Sequence, residues 1–221
     1  PESLRDDVLC NCAAIPGQYI LESSVLTCCS AFDWFRREFY GPDATPAQLD
    51  KEAEESPAGA GGCICLPYFQ GRSTPDWNTA ATALFQNVTL STRRQDMLRA
   101  LLEGIALELA RGVEVMEGYA PIGEITINGG LTNSRPFNQM LSDACGLPLL
   151  RRGRADAAAR GALMVAACAL GAYGSIGEAC AAVSRNDPAQ AYTPQKENRE
   201  AYRLLREQSD RLYRLLWPPV Q

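Results

Sequence analysis

The chain has 221 residues, 46% of them apolar, with 21 basic and 26 acidic side chains for a net charge of −5. That is enough apolar material for a real core in one large or two small domains. The basic residues are scattered apart from Arg151, Arg152 and Arg154, so no nucleic acid partner is expected, and no apolar run approaches the roughly 20 residues of a membrane-spanning helix.

Histidine is absent, which removes His-based catalytic triads and His metal ligands. Nine cysteines stand at positions 10, 12, 28, 29, 63, 65, 145, 168 and 180. Their odd number, their apolar neighbours and the lack of a signal-peptide pattern lead us to expect reduced, cytoplasmic thiols. Cys10 with Cys12, and Cys63 with Cys65, have the wrong spacing for a zinc knuckle and read as alternation along strands. The first residue is proline rather than methionine, so a fragment of a longer protein is expected.

In chain order, Val8–Ala14 and Gln18–Leu26 alternate apolar and polar about a Pro16-Gly17 turn, which predicts a hairpin. Cys29–Phe39 has helical spacing. Thr45-Pro46 pairs a cap with proline at the first helical position and predicts a helix to Glu55. Pro57–Gly62 reads as a small-residue loop, Cys63–Pro67 as a buried strand and Tyr68–Trp77 as a polar-aromatic loop. Thr92 with Gln95 forms a capping-box pattern for a long helix to Glu117. Its apolar stripe of Met97, Leu98, Leu101, Leu102, Ile105, Leu109 and Val113 repeats at i, i+3, i+4. A strand at Ile125–Asn128 leads through Gly129-Gly130 into a helix ending near Cys145, followed by a strand at Leu147–Leu150. Asp156 should cap a helix over Ala157–Leu170, and Ser175 with Glu178 should open another to Val183. Asn186–Tyr192 reads as a loop, and Thr193-Pro194 should start a last amphipathic helix to Leu216. Strands and helices alternate throughout, which predicts an α/β class.

The chain centres on Glu124–Asn138. Ser134 suits an N-cap and Pro136 a first helical turn. Two glycines allow positive φ and let a ligand lie against bare backbone. The helix start beyond them offers unpaired N–H groups to an anion. The same pattern also fits an ordinary tight strand-to-helix turn. Among charged candidates, Glu103 lies on the long helix and reads as a structural hydrogen-bond partner, Asp76 reads as a turn residue, and Arg72 reads as a solvated arginine or a phosphate or sugar contact.

Several stretches together resemble the C-terminal domain of the FGGY carbohydrate kinases. They are Leu66-Pro-Tyr-Phe-Gln-Gly-Arg-Ser-Thr-Pro75, Asp96–Gly104, Asn128-Gly-Gly-Leu-Thr-Asn-Ser134 with Phe137–Asp143, and Ala159-Arg-Gly-Ala-Leu163. The match is collinear across nearly all of residues 1–221. Departures are Cys28-Cys29 in place of Ala-Gly, Asn87 in place of Gly, and Leu131-Thr132 in place of the smaller Gly-Ala. The resemblance implies an actin-like ATPase core of the ribonuclease H-like kind, with a mixed, twisted sheet and helices on both faces. It implies that ATP or ADP binds here and that a sugar or polyol binds through the full-length protein. Magnesium would be held mainly by the missing N-terminal domain. By position, Gly129, Gly130 and Leu131 would lie against adenosine, with Ser134 and Asn138 nearby. Cys29 and Ser30 would approach the phosphates, or else serve helix packing. The family's catalytic Asp belongs to a segment this sequence does not contain, so no catalytic or metal residue is assigned here. The isolated chain is expected to lack sugar kinase turnover and to self-associate, with a homodimer as one form. A non-catalytic nucleotide-binding or interaction domain, or a structural actin-like module, are the other readings.

Overall fold

The computed structural model describes residues 5–15, 17–152, 157–184 and 189–218. Strands β1 (Leu9–Cys12) and β2 (Tyr19–Glu22) pair antiparallel, with Cys10 opposite Leu21 and Cys12 opposite Tyr19. Gly17 in the turn has φ +78°, and Pro16 lies outside the described residues. Apolar side chains stand open on this ribbon at Leu9, Tyr19 and Ile20, because two strands alone cannot form a second layer.

Helix α1 (Cys29–Tyr40) buries Ala31, Phe32 and Phe35, and Phe35 stacks on Phe39 at 4.3 Å. Helix α2 (Pro46–Glu54) begins as its sequence dictates, with Thr45 Oγ1 accepting from the Gln48 amide at 3.3 Å. The buried strand β3 (Ile64–Leu66) pairs antiparallel with β4 (Leu84–Gln86). Three residues are too few for β4 to leave a periodic signal.

The spine is α3 (Arg94–Glu117). Leu98, Leu101, Leu102 and Ile105 on it have no exposed surface. Its cap is one residue later than the sequence suggests. Asp96 Oδ2 accepts from the Arg93 amide at 2.9 Å, whereas Thr92 Oγ1 accepts from the Thr89 amide in the preceding turn. Local side-chain bonding has drawn Thr92 out of the helix.

Strand β5 (Ile125–Ile127) runs through helix α4 (Arg135–Cys145) to β6 (Leu149–Arg152), parallel to β5. Gly146, at φ +67°, closes α4. The strand expected at 147–150 therefore starts two residues later. Helices α5 (Ala157–Ala169) and α6 (Ile176–Ser184) follow. Asp156, the expected cap of α5, lies outside the described residues. Strand β7 (Ala189–Tyr192) then pairs antiparallel with β6, Tyr192 opposite Leu149. This corrects the loop expected over 186–192 in its described part. Backbone pairing and the burial of Tyr192 outweigh a weak local strand signal.

The last helix, α7 (Arg199–Leu216), begins later than Thr193-Pro194. Asp143 on α4 accepts from the Gln195 amide and from Asn198 Nδ2, pinning that segment. Helix α7 buries Tyr202, Leu205, Leu212 and Tyr213. The fold is α/β. Among the described residues its strands form three small sheets of two, two and three strands, and the last of these is the mixed one.

Candidate functional site

The diglycine turn is built by backbone and buttressed from behind. Gly129 leaves β5 at φ +102°, a conformation that a Cβ makes costly. The positive φ is Gly129's alone. Gly130 opens a 3-10 turn to Asn133 within ordinary backbone space. Thr132 Oγ1 donates to the Gly129 carbonyl at 2.7 Å. Asn138, fully buried, donates through Nδ2 to the Thr132 carbonyl at 2.8 Å and to the Tyr192 hydroxyl at 3.0 Å. Arg151 Nη2 donates to Asn133 Oδ1 at 2.6 Å. Ser134 caps α4, accepting from the Phe137 amide at 3.2 Å and donating to Asp50 Oδ1 at 2.6 Å. Burial raises the Asp50 pKa above its ordinary value. Ser134→Ala removes both bonds and is expected to cost about 1–2 kcal/mol, readable as a lower urea midpoint.

In front of the turn lies a cleft of about 390 Å³, within the range of small-molecule sites. The turn supplies Gly129, Gly130, Leu131 and Thr132, and the opposite wall is Cys28 and Cys29 at the start of α1. Leu109, Val113 and Met116 of α3 form a third side, and Phe137, Leu141 and Cys145 of α4 a fourth. The structure thus brings Cys29, Gly129, Gly130 and Leu131 together. Ser134 and Asn138 brace the turn without lining the cleft, and Ser30 does not line it either. A Cβ added at Gly129 would meet nothing within 4 Å, and one at Gly130 would lie 3.6 Å from Cys29 Sγ. Gly129 therefore presents bare backbone to open space, and Gly130 presents its backbone toward Cys29 at ordinary contact distance. Sequence reasoning missed the α3 wall. Its signal was present, because the apolar stripe continues through Leu109 and Val113, which the core only half covers.

Among the described lining residues Glu108 is the one carboxylate. It accepts from the Tyr68 hydroxyl at 2.9 Å and from Arg72 Nε at 3.0 Å, and it pairs with Arg111. Arg72 also pairs with Asp76 and is 7% exposed, so the expectation of a solvated arginine is corrected. Among the described residues no lysine or arginine lines the cleft. Its walls are apolar and suit a flat, weakly polar group better than a triphosphate. Burial pushes the Cys28 thiol up to about 11 and the Cys145 thiol up to about 12.

A larger cleft of about 910 Å³ lies between residues 72–80 and the end of α7, with Trp77, Arg214 and Trp217 on its walls. Much of its polar lining is already engaged. Asn78 donates to the Tyr213 hydroxyl at 3.2 Å, and Asp210 pairs with Arg111. Among its described lining residues there is no glycine.

The family described as the FGGY family of carbohydrate kinases, C-terminal domain, matches residues 5–170. A xylulose kinase of Escherichia coli strain K12 is 31% identical over 210 residues, covering 94% of this chain and 42% of that protein. The chain thus spans less than half the length of this relative. The crystal structure of a xylulose kinase from Rhodospirillum rubrum superposes with a TM-score of 0.81 at 28% identity, covering 95% of this chain and 42% of the other. A glycerol kinase of Plasmodium falciparum, solved with ADP, shares the fold at a TM-score of 0.73 and 24% identity, over 91% of this chain and 39% of its own. The chain therefore belongs to the FGGY family of carbohydrate kinases, as its C-terminal domain in the actin-like ATPase fold.

Proposed function

We propose that this domain binds ATP and ADP at the diglycine turn and serves a carbohydrate kinase that transfers the γ-phosphoryl group to a sugar or polyol hydroxyl. The observation that carries this reading is the cleft wall of bare backbone at Gly129 and Gly130, facing the start of α1 across an apolar gap. The adenine and ribose pack against Gly129, Gly130 and Leu131. The phosphates leave toward Cys29 and Ser30, where α1 has no side-chain cap and its first amides are free to meet an anion. Ser134 and Asn138 hold the turn in shape.

Residues 1–221 form one domain of a longer protein, whose other part supplies the base and most sugar contacts. Phosphoryl transfer is dominated by positioning and charge stabilisation, so both parts are needed for turnover. Magnesium would arrive with the nucleotide. The residues here do not fit a metal, since Glu108 is already engaged by three donors and no cluster of acidic or thiol groups among the described residues could hold one. The thiol-rich composition supports a cytoplasmic setting. The exposed apolar side chains of the β1–β2 ribbon support burial against the rest of the protein or, in the isolated chain, a homodimer.

Gly130→Val tests the reading. Gly130 needs no positive φ, and its new Cβ would make an ordinary contact with Cys29 Sγ, so the variant is expected to fold. The branched methyls would occupy the nucleotide's space. ADP affinity should fall at least about tenfold, or 1.4 kcal/mol, in a calorimetric titration. Unchanged affinity in a folded variant would remove the diglycine turn from the site.

A further inference from the structure

The larger cleft, between residues 72–80 and the end of α7, takes no part in the nucleotide reading. Most of its polar groups are spent on one another. Arg72 pairs with Glu108 and Asp76, and its guanidinium lies 4.2 Å over the Tyr213 ring. Asn78 donates to the Tyr213 hydroxyl and accepts from the Ala80 amide at 3.0 Å. Asp210 pairs with Arg111 and Arg206. A ligand rich in hydroxyls would find few partners here. The main groups left over are two indoles, Trp77 from one wall and Trp217 from the other, and the guanidinium of Arg214. Arg214 is exposed and makes no hydrogen bond or ion pair among the described residues.

Trp77 is held where it stands. It is 47% exposed, yet its backbone sits at φ +53°, a costly conformation for a bulky side chain, and strain of this kind gathers at ligand sites. Its Nε1 donates to the Asp6 carbonyl at 3.1 Å, so the polar edge of the ring is satisfied and a face is left for stacking. Trp217 is half-buried, meeting Tyr68 edge-on at 5.9 Å. Charge sets a further limit. Arg72, Arg111 and Arg206 already share four carboxylates, those of Asp76, Glu108, Glu114 and Asp210. Arg214 is therefore the one cation to spare among the described lining residues. A ligand with two or three negative charges would also face Asp76 and Asp210, whose side chains are 40% and 35% exposed.

We propose that this cleft is a binding site for a flat aromatic monocarboxylate, whose ring packs against Trp77 and Trp217 and whose carboxylate meets Arg214. At about 910 Å³ it has room for a fused bicyclic ring. The same charge count excludes a nucleotide, so the inference does not rest on the diglycine reading.

The probe is naphthoate, with naphthylmethanol as its neutral counterpart and naphthyl phosphate as its doubly charged one. Each is titrated into the isotopically labelled 221-residue chain, and the indole N–H signals of the three tryptophans are followed by NMR. Naphthoate should shift Trp77 and Trp217 and leave Trp34, which packs against the core, unmoved. It should bind more tightly than either counterpart. Arg214→Gln, on an exposed helix position, should weaken it about fivefold. Trp77→Asn, which tolerates the positive φ, should weaken it about tenfold, with the fold of both variants checked by thermal melting. Shifts away from Trp77 and Trp217 overturn the inference, as does unchanged affinity in folded Arg214→Gln. Equal binding of the alcohol, or tighter binding of the phosphate, overturns the assignment of a monocarboxylate.

Discussion

Glu103→Ala is expected to destabilise the domain by about 3–5 kcal/mol, a large share of the roughly 5–15 kcal/mol that holds a typical domain together. Glu103 has no exposed surface. Its Oε1 accepts from Arg99 Nε at 2.8 Å, from the Gly59 amide at 3.0 Å and from the Tyr202 hydroxyl at 3.3 Å. One oxygen thus ties α3 to the loop before β3 and to α7. Truncation leaves the Arg99 guanidinium buried beside the Ala53 and Ser56 carbonyls with its countercharge gone. Urea unfolding of the variant reads the loss, and a change below about 1 kcal/mol would show that the network is dispensable.

The same carboxylate gives a pH signature. Burial raises its pKa above the ordinary 4.5 more than Arg99 and the amide lower it. The second oxygen, Oε2, has no partner, which favours the neutral form. A raised native pKa means that the folded state binds the proton more tightly than the unfolded chain does. The corresponding stability is complete below about 4.5 and is lost as pH rises through the native value. Glu103→Gln removes that titration. The stability of wild type minus that of the variant should therefore fall as pH rises above 4.5. A difference that is flat across that range, or rises, contradicts the assignment.

Gly104→Ala is the second large effect, and its sign runs against helix propensity. Alanine in a helix interior is ordinarily better than glycine by about 1 kcal/mol. Here the new Cβ would sit 2.4 Å from the Cys65 carbonyl oxygen and 3.3 Å from Pro67 Cδ. The first of these is backbone of β3 and cannot swing aside, so α3 and β3 must part. Overpacking of this kind costs about 3 kcal/mol. Gly161→Ala in α5 is the control, since its Cβ would meet nothing within 4 Å. It should gain up to about 1 kcal/mol. Equal effects at the two positions would mean that propensity, not the contact with β3, decides.

The parts of the fold that were legible are those where local chemistry and tertiary demand coincide. The stripe from Leu98 to Ile105 located α3, Thr45-Pro46 located α2, and Ser134 with Pro136 located α4. The strands β4 and β7 were not legible, because each is short and owes its conformation to a partner strand distant in sequence. The start of α7 was hidden for a similar reason, since Asp143 on another helix holds the segment before it. At the site, the diglycine could be singled out from residue type and order, whereas Cys29 was implied only by the resemblance to the family. Sequence order alone could not separate residues that face the cleft from those that brace it, as Ser134 and Asn138 do. Nor could it show that Arg72 turns inward to Glu108, because that pairing joins two segments 36 residues apart.

The most direct measurement is an NMR titration of the isotopically labelled 221-residue chain with ADP and, separately, with ATP. Shift changes are expected at Gly129, Gly130, Leu131 and Cys29, with affinity in the millimolar range or weaker, about 4 kcal/mol or less. ADP should bind nearly as well as ATP, because among the described residues no cation lines the cleft to hold a γ-phosphate. Shifts confined to the larger cleft around Trp77, Arg214 and Trp217, or no response at the diglycine turn at nucleotide concentrations about tenfold above the millimolar range, would contradict the assignment of this turn as the nucleotide site.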